Sequence, residues 1–138
     1  MLKYHEPPEA RKPPASQDWR LFTFKGEEQV DPPIPLAAQS CWLLGRERAV
    51  ADLRVDHPSA SKQHAVIQFR DVPRKGGNDG VTPGKLVKPY VIDLESSNGT
   101  RLNGDRIPAK AYWEVKSGDV LMIGHSEREY VFLLAPKE

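Results

Sequence analysis

No apolar stretch in this chain keeps a helical period; short apolar runs follow one another instead, each cut off by turn residues. Trp19-Arg20-Leu21-Phe22-Thr23-Phe24 comes first, bulky and β-rich, and predicts a strand. Cys41-Trp42-Leu43-Leu44 predicts a second, stopped by Gly45. Further runs follow at residues 52–55, 64–69, 90–94, 119–123 and 130–134, dominated by valine, isoleucine, leucine and aromatics. Between Thr100 and Ile107, Asn103-Gly104 separates two short strands, the strongest local hairpin signal. So many short strands with such punctuation predict an all-β protein, a sandwich or a barrel. Only Ala109–Glu114 suggests a helix, and it is too short to hold one.

Prolines mark the breaks. Pro7, Pro8, Pro13 and Pro14 crowd the start, fix φ and push their neighbours toward extended backbone. Residues 1–18 are therefore expected to form an extended tail, ordered only if something binds it, and residues 19–138 the domain. Pro32, Pro33 and Pro35 suit an edge or a connector, not a central strand. Asp71 to Lys88 is polar and carries Gly76, Gly77, Gly80 and Gly84, which predicts a long mobile excursion between two strands.

At 138 residues the chain suffices for one domain with some tail. Its formal net charge of +1 gives no global field for nucleic acid or an anionic membrane, so any anion preference must come from a local site. A single cysteine, Cys41, excludes an internal disulfide and a zinc site of cysteine type, and fits a reducing compartment. The first six residues lack the apolar run of a secretory signal, and no stretch reaches the length of a membrane span. The expectation is a soluble intracellular protein, or a piece of one, with nothing that requires more than a monomer.

Three loop clusters carry the candidate chemistry: Gly45-Arg46, Ser59–His64, and Ser96–Thr100. If the strands form one sandwich, these loops can gather at one end of it. Arg46 would bring a planar guanidinium able to grip a phosphate with two hydrogen bonds. Ser61 and Ser97 add hydroxyls, Lys62 an ammonium, and Asn98 both a donor and an acceptor suited to a peptide backbone. Gly99 permits the turn that presents Asn98. Hydrogen bonds to a charged group contribute roughly 1.5–3 kcal/mol each. Three or four of them, less the cost of ordering a peptide, imply an affinity on the order of micromolar.

The order Gly45-Arg46, then Ser61-x-x-His64, then Ser96-x-Asn98-Gly99-Thr100 and Asn103-Gly104, resembles the signature of forkhead-associated (FHA) domains, over about Trp19 to Leu134. That resemblance implies an FHA-type β-sandwich of two antiparallel sheets that binds phosphothreonine peptides and catalyses nothing. It implies phosphate contacts from Arg46, Ser61, Lys62 and Ser97, and a peptide-backbone contact from Asn98. Gly45, His64 and Gly99 would be structural, His64 supporting the loop that presents Ser61. Residues 56–66, 87–94 and 128–131, with the tail Glu6–Arg11, are similar to one branch of the family, that of Smad nuclear-interacting protein and fungal pre-mRNA leakage protein. The branch implies a nuclear subunit of the spliceosome-associated retention and splicing complex. There a segment preceding the domain docks on an RNA-recognition-motif subunit, for which the tail is the candidate here.

Other readings remain at this stage. Ser61, His64 and Asp93 supply the residue types of a hydrolase triad, but Ser61 does not sit in a nucleophile elbow. His5, His57, His64 and His125 show no metal-ligand spacing, and no cofactor is implied. A scaffold whose phosphate site is vestigial is the alternative. Direct RNA binding is disfavoured by the near-neutral charge and the lack of an aromatic platform.

Overall fold

The computed structural model describes residues 2–73 and 85–136, whose regular elements are all strands apart from one 3-10 turn at Leu36–Ala38. They are β1 (Trp19–Lys25), β2 (Glu28–Pro35), β3 (Cys41–Gly45), β4 (Leu53–Arg54), β5 (Ala65–Pro73), β6 (Lys85–Asp93), β7 (Thr100–Leu102), β8 (Asp105–Arg106), β9 (Trp113–Glu114), β10 (Val120–Ile123) and β11 (Arg128–Leu134). One sheet runs β2-β1-β11-β10-β7-β8 and the other β4-β3-β5-β6-β9. All pairings are antiparallel except β3 with β4. The expected two-sheet sandwich is what forms.

Alternation explains the layering. Leu21 and Thr23 of β1, Ala65, Ile67 and Phe69 of β5, Val91 of β6, Leu121 and Ile123 of β10, and Tyr130 and Phe132 of β11 turn inward and are buried. Trp19 joins this core, and Trp42 caps it while its indole N–H donates to the Leu36 carbonyl. Trp113, on the two-residue β9, is 47% exposed. Asn103 and Gly104 both take positive φ, 54° and 87°, as the β7–β8 hairpin requires.

One expectation needs correction. The polar stretch from Asp71 to Lys88 is not all loop: Asp71, Val72 and Pro73 continue β5 and pair with Val87, Leu86 and Lys85 of β6. Such a hairpin arm can be polar because Arg70 and Lys88 lie on the outer face, where stems can spread over the sheet while their charges stay wet. The glycines at 76, 77, 80 and 84 lie outside the described residues. Of the two readings that Pro32, Pro33 and Pro35 allowed, an edge or a connector, the edge is what forms, over residues 28–35. β2 is the edge of its sheet, where a missing N–H costs no ladder bond, and Asp31 bends it at φ 63°.

The tail turns at Pro7–Ala10 and Pro14–Gln17 and is laid down on the domain. Ala10 bridges to Arg70, the Arg11 N–H donates to the Phe69 carbonyl, and the Asp71 N–H donates to the Glu9 carbonyl. The Tyr4 hydroxyl donates to Gln68 Oε1 at 2.6 Å and meets the Tyr112 hydroxyl at 2.7 Å. Glu6 accepts from Ser40 and from Gln68 Nε2. Gln68 is fully buried in β5, so the tail supplies partners to an amide that water cannot reach. Burial, with the neighbouring Tyr112 hydroxyl, raises the Tyr4 phenol pKa, and the Ser40 hydrogen bond lowers that of Glu6. The Cys41 thiol is pushed up to about 12 by burial and by Glu6, so it is not a thiolate at neutral pH.

Candidate functional site

The site stands at one end of the sandwich, where the loops after β3, before β5 and after β6 meet. Gly45 ends β3 against the second loop: a Cβ there would overlap the Lys62 carbonyl oxygen and stand 2.8 Å from the Lys62 carbonyl carbon. This close approach lets the Arg46 N–H donate to the Ser61 carbonyl at 3.0 Å and the Glu47 N–H to the Lys62 carbonyl at 3.2 Å. Arg46 itself is exposed, and its Nε donates to the Ala60 carbonyl at 3.0 Å. One edge of the guanidinium is thus anchored, and its two terminal nitrogens have no other partner among the described residues.

His64 organises the second loop from beneath. It is fully buried, its Nδ1 accepts the Ser61 N–H at 3.0 Å, and its Nε2 lies 2.8 Å from the Gly99 carbonyl. A carbonyl only accepts and an N–H only donates, so these partners fix the neutral tautomer with the proton on Nε2. Burial lowers the pKa of the ring against the opposing pull of Gly99 and Asp93. Asp93 lies 4.0 Å from Nε2, but its oxygens accept the Ser96 N–H, the Ser96 hydroxyl and the Thr100 hydroxyl. The three residue types of a triad are present without its geometry, because His64 meets the Ser61 backbone and not its hydroxyl.

The third loop closes the site. The Ser97 N–H donates to Ser61 Oγ at 3.2 Å, which leaves the Ser61 hydroxyl proton available. Asn98 Nδ2 donates to the Ser59 carbonyl at 2.8 Å, and its Oδ1 has no donor among the described residues. Gly99 sits at φ 82° with its N–H on Ser96 Oγ and its carbonyl shared by His64 and the Gly124 N–H. Ser59 in turn takes the His125 N–H on its hydroxyl, so the loop after β10 also supports the site.

Every predicted site residue is therefore in one neighbourhood: Arg46, Ser61, Lys62, Ser97 and Asn98 on the rim, and Gly45, His64 and Gly99 beneath it. Lys62 and Ser97 are exposed. Arg106 was not anticipated. Its Nε would stand 2.5 Å from a Cβ on Gly99, so a further guanidinium lies across that glycine. The one sequence signal for it is the Asn103-Gly104 turn, which pairs Arg106 with Arg101. What the rim offers is hydroxyl, amide and cationic donors gathered on one set of loops, the equipment for holding an oxyanion.

Two antiparallel sheets in this order, with signature residues converging at one end, define a loop-presenting recognition module. The chain belongs to the FHA domain family, whose model matches residues 42–124, and FHA domains are interaction modules built on a phosphopeptide-binding fold. Smad nuclear-interacting protein 1 of Mus musculus is 53% identical over 133 residues, which covers 96% of this chain and 33% of that protein. Pre-mRNA leakage protein 1 of Saccharomyces cerevisiae is 33% identical over 156 residues, covering 93% of this chain and 71% of that one. The solved structure of the yeast Pml1 splicing factor, described with its integration into the RES complex, superposes with a TM-score of 0.78 at 31% identity, covering 98% of this chain and 99% of that one. The branch resemblance read from the sequence holds.

Proposed function

We propose that this domain docks phosphothreonine-containing segments of partner proteins, and that it does so in the nucleus as part of a spliceosome-associated retention and splicing complex. The observation that carries the first half is the anchored Arg46, held through Nε on the Ala60 carbonyl beside the Ser61 loop, which is itself joined to Ser97 by a hydrogen bond. A phosphate seated there meets donors already in place, so little ordering cost is left to the protein side. Lys62 adds charge, and Asn98 Oδ1 is available to a peptide N–H. The second half rests on the likeness to the yeast splicing factor and to the Smad nuclear-interacting protein.

The tail's proposed docking of an RNA-recognition-motif subunit is narrowed by its geometry. Tyr4 and Glu6 are engaged by the domain, so such a partner would meet the outward side chains of Leu2, Lys3 and His5. Fluorescence anisotropy with a degenerate phosphothreonine peptide pool, its unphosphorylated counterpart and Arg46→Ala protein tests the reader function. Micromolar binding that needs both phosphate and Arg46 supports it. Absence of phosphate-dependent binding by folded protein would replace it with the phosphate-independent scaffold.

A further inference from the structure

The sandwich has a second recognition feature far from the phosphate site, at the start of β6. Phe69 and Asp71 of β5 turn their backbone groups away from β6: the Phe69 N–H goes to Ser40, its carbonyl to Arg11, and the Asp71 N–H to Glu9. Their antiparallel partners, Pro89 and Val87, must turn theirs to the opposite edge. There the Pro89 carbonyl is met by the Val115 N–H, but β9 pairs only with Tyr90 and Val91. The N–H and C=O of Val87 are left without a strand among the described residues.

The other sheet edges are blunted. β4 and β8 are two residues long, and β2 is broken by three prolines and a residue at positive φ. The open edge of β6 is different, because it borders an apolar groove. That groove, about 320 Å³, is walled by Trp19, Val87, Pro89, Val115 and Leu134. Gln17 also stands in the wall, and its Oε1 is shielded from water with no donor. A ligand N–H in the groove would give a swung-out Gln17 amide the partner it lacks.

Charge around the groove selects the occupant. At the groove Glu114 is paired with Lys88 at 3.6 Å, and in the adjoining hollow that shares Gln17 and Val87 Asp71 is paired with Arg11 at 3.4 Å; Asp119 accepts the Lys116 backbone N–H, while the Lys12 and Lys116 side chains stay exposed without an ion pair among the described residues. The surplus is positive. We propose that the Val87 edge and this groove form a docking site for an extended segment of a partner protein with alternating apolar and acidic residues, added to β6 as a further strand. Apolar side chains would enter the groove and carboxylates would meet Lys116 and Lys12, while main-chain bonds to Val87 set the register. Asp93, at the phosphate-site end of β6, is six residues away, roughly 20 Å at strand rise. One partner could then hold both sites, or two partners one each.

The probe is an acetylated eight-residue peptide alternating valine and glutamate, with an alternating valine–lysine peptide as the charge control. Backbone amide shifts and hydrogen exchange are followed by NMR on the whole chain. The acidic peptide is expected to slow exchange at Val87 at least tenfold, leave the Ser61 and Ser97 amides unmoved, and bind at least fivefold more tightly than the basic one. Lys116→Glu should weaken it severalfold. Gln17→Leu should weaken it too while raising the melting temperature, since it removes an unpaired buried oxygen. Val87→Pro should abolish protection, and if that variant does not fold the other two carry the test. No protection at Val87 with millimolar peptide, shifts confined to the Arg46 end, or equal binding of both peptides would overturn the proposal.

Discussion

His64 Nε2 donates to the Gly99 carbonyl across 2.8 Å, tying together two loops 35 residues apart in the sequence. The same ring accepts the Ser61 N–H on its other nitrogen, so one buried side chain sets the spacing between the proposed phosphate ligand and the loop of Asn98. The arrangement exists only while the imidazole is neutral.

That neutrality has a pH signature. Burial lowers the folded-state pKa of His64 below its ordinary value of 6.5. Above about pH 6.5 the ring is neutral folded or unfolded; as pH falls further the unfolded chain takes the proton first, and stability is lost toward the lower folded pKa. Urea melts at pH 7.5 and 5.5 should show lower stability at the acid end, and His64→Gln should flatten the difference. Glu6 does not confuse the result, because its lowered pKa acts only below 4.5. An unchanged pH dependence in the variant would sink the assignment.

Removing the Arg46 side chain should separate binding from folding. Arg46 is exposed, so Arg46→Ala should leave stability within about 0.5 kcal/mol. Loss of a charge-assisted contact is worth roughly 1.5–3 kcal/mol, which is a ten- to hundredfold weaker Kd in the anisotropy assay. Arg46→Lys should recover only part of it, since an ammonium cannot present a planar pair of donors. Binding that survives both changes would favour the scaffold reading.

Gly45→Ala should do the reverse, damaging the frame. Its methyl would overlap the Lys62 carbonyl, and backbone at that distance has no rotamer to give. Forcing extra volume into such a contact costs about 1–3 kcal/mol, readable as a fall in melting temperature, and should also displace Ser61 and weaken phosphopeptide binding.

Phosphopeptide affinity should fall steadily between 50 and 500 mM salt, since Arg46 and Lys62 are both exposed and screened. A flat salt series would mean the contact is not dominated by charge.

Tyr4→Phe tests the tail. It removes the hydroxyl shared by Gln68 and Tyr112, and each lost bond contributes about 0.5–1.5 kcal/mol. Chemical denaturation should register the sum, and amide exchange at residues 3–6 should rise. Equal stability of the two proteins would mean the tail is only loosely attached.

Strand positions and the gathering of the candidate site residues were legible in the sequence because each is encoded locally: a short apolar run, a turn pair, a loop serine beside an asparagine and a glycine. Asn103-Gly104 forced its hairpin, and three loops of matching chemistry converged once the sandwich closed. The outer arm of β5 and β6 was hidden because Val72, Leu86 and Val87 are too few to stand out against the polar, glycine-rich stretch between Asp71 and Lys88. Pro32, Pro33 and Pro35 are harmless only on an edge, so they pointed to an edge or a connector without deciding between them. The fastening of Tyr4 to Gln68 spans 64 residues and uses polar groups, so no periodicity announces it. Arg106 over Gly99 depends on hairpin register and the loop's φ together, neither of which residue types alone reveal.

Pairing of β1 with β11, from Trp19 opposite Leu134 to Lys25 opposite Arg128, bears on how the protein is made. The strand next to the edge of the larger sheet finds its neighbour in the last strand of the domain, more than 100 residues later. Until those residues clear the ribosome, Leu21 lacks the cover of Phe132, and the sheet cannot close. Folding on the ribosome must therefore wait for the end of the domain, with half a core exposed to chaperones during synthesis.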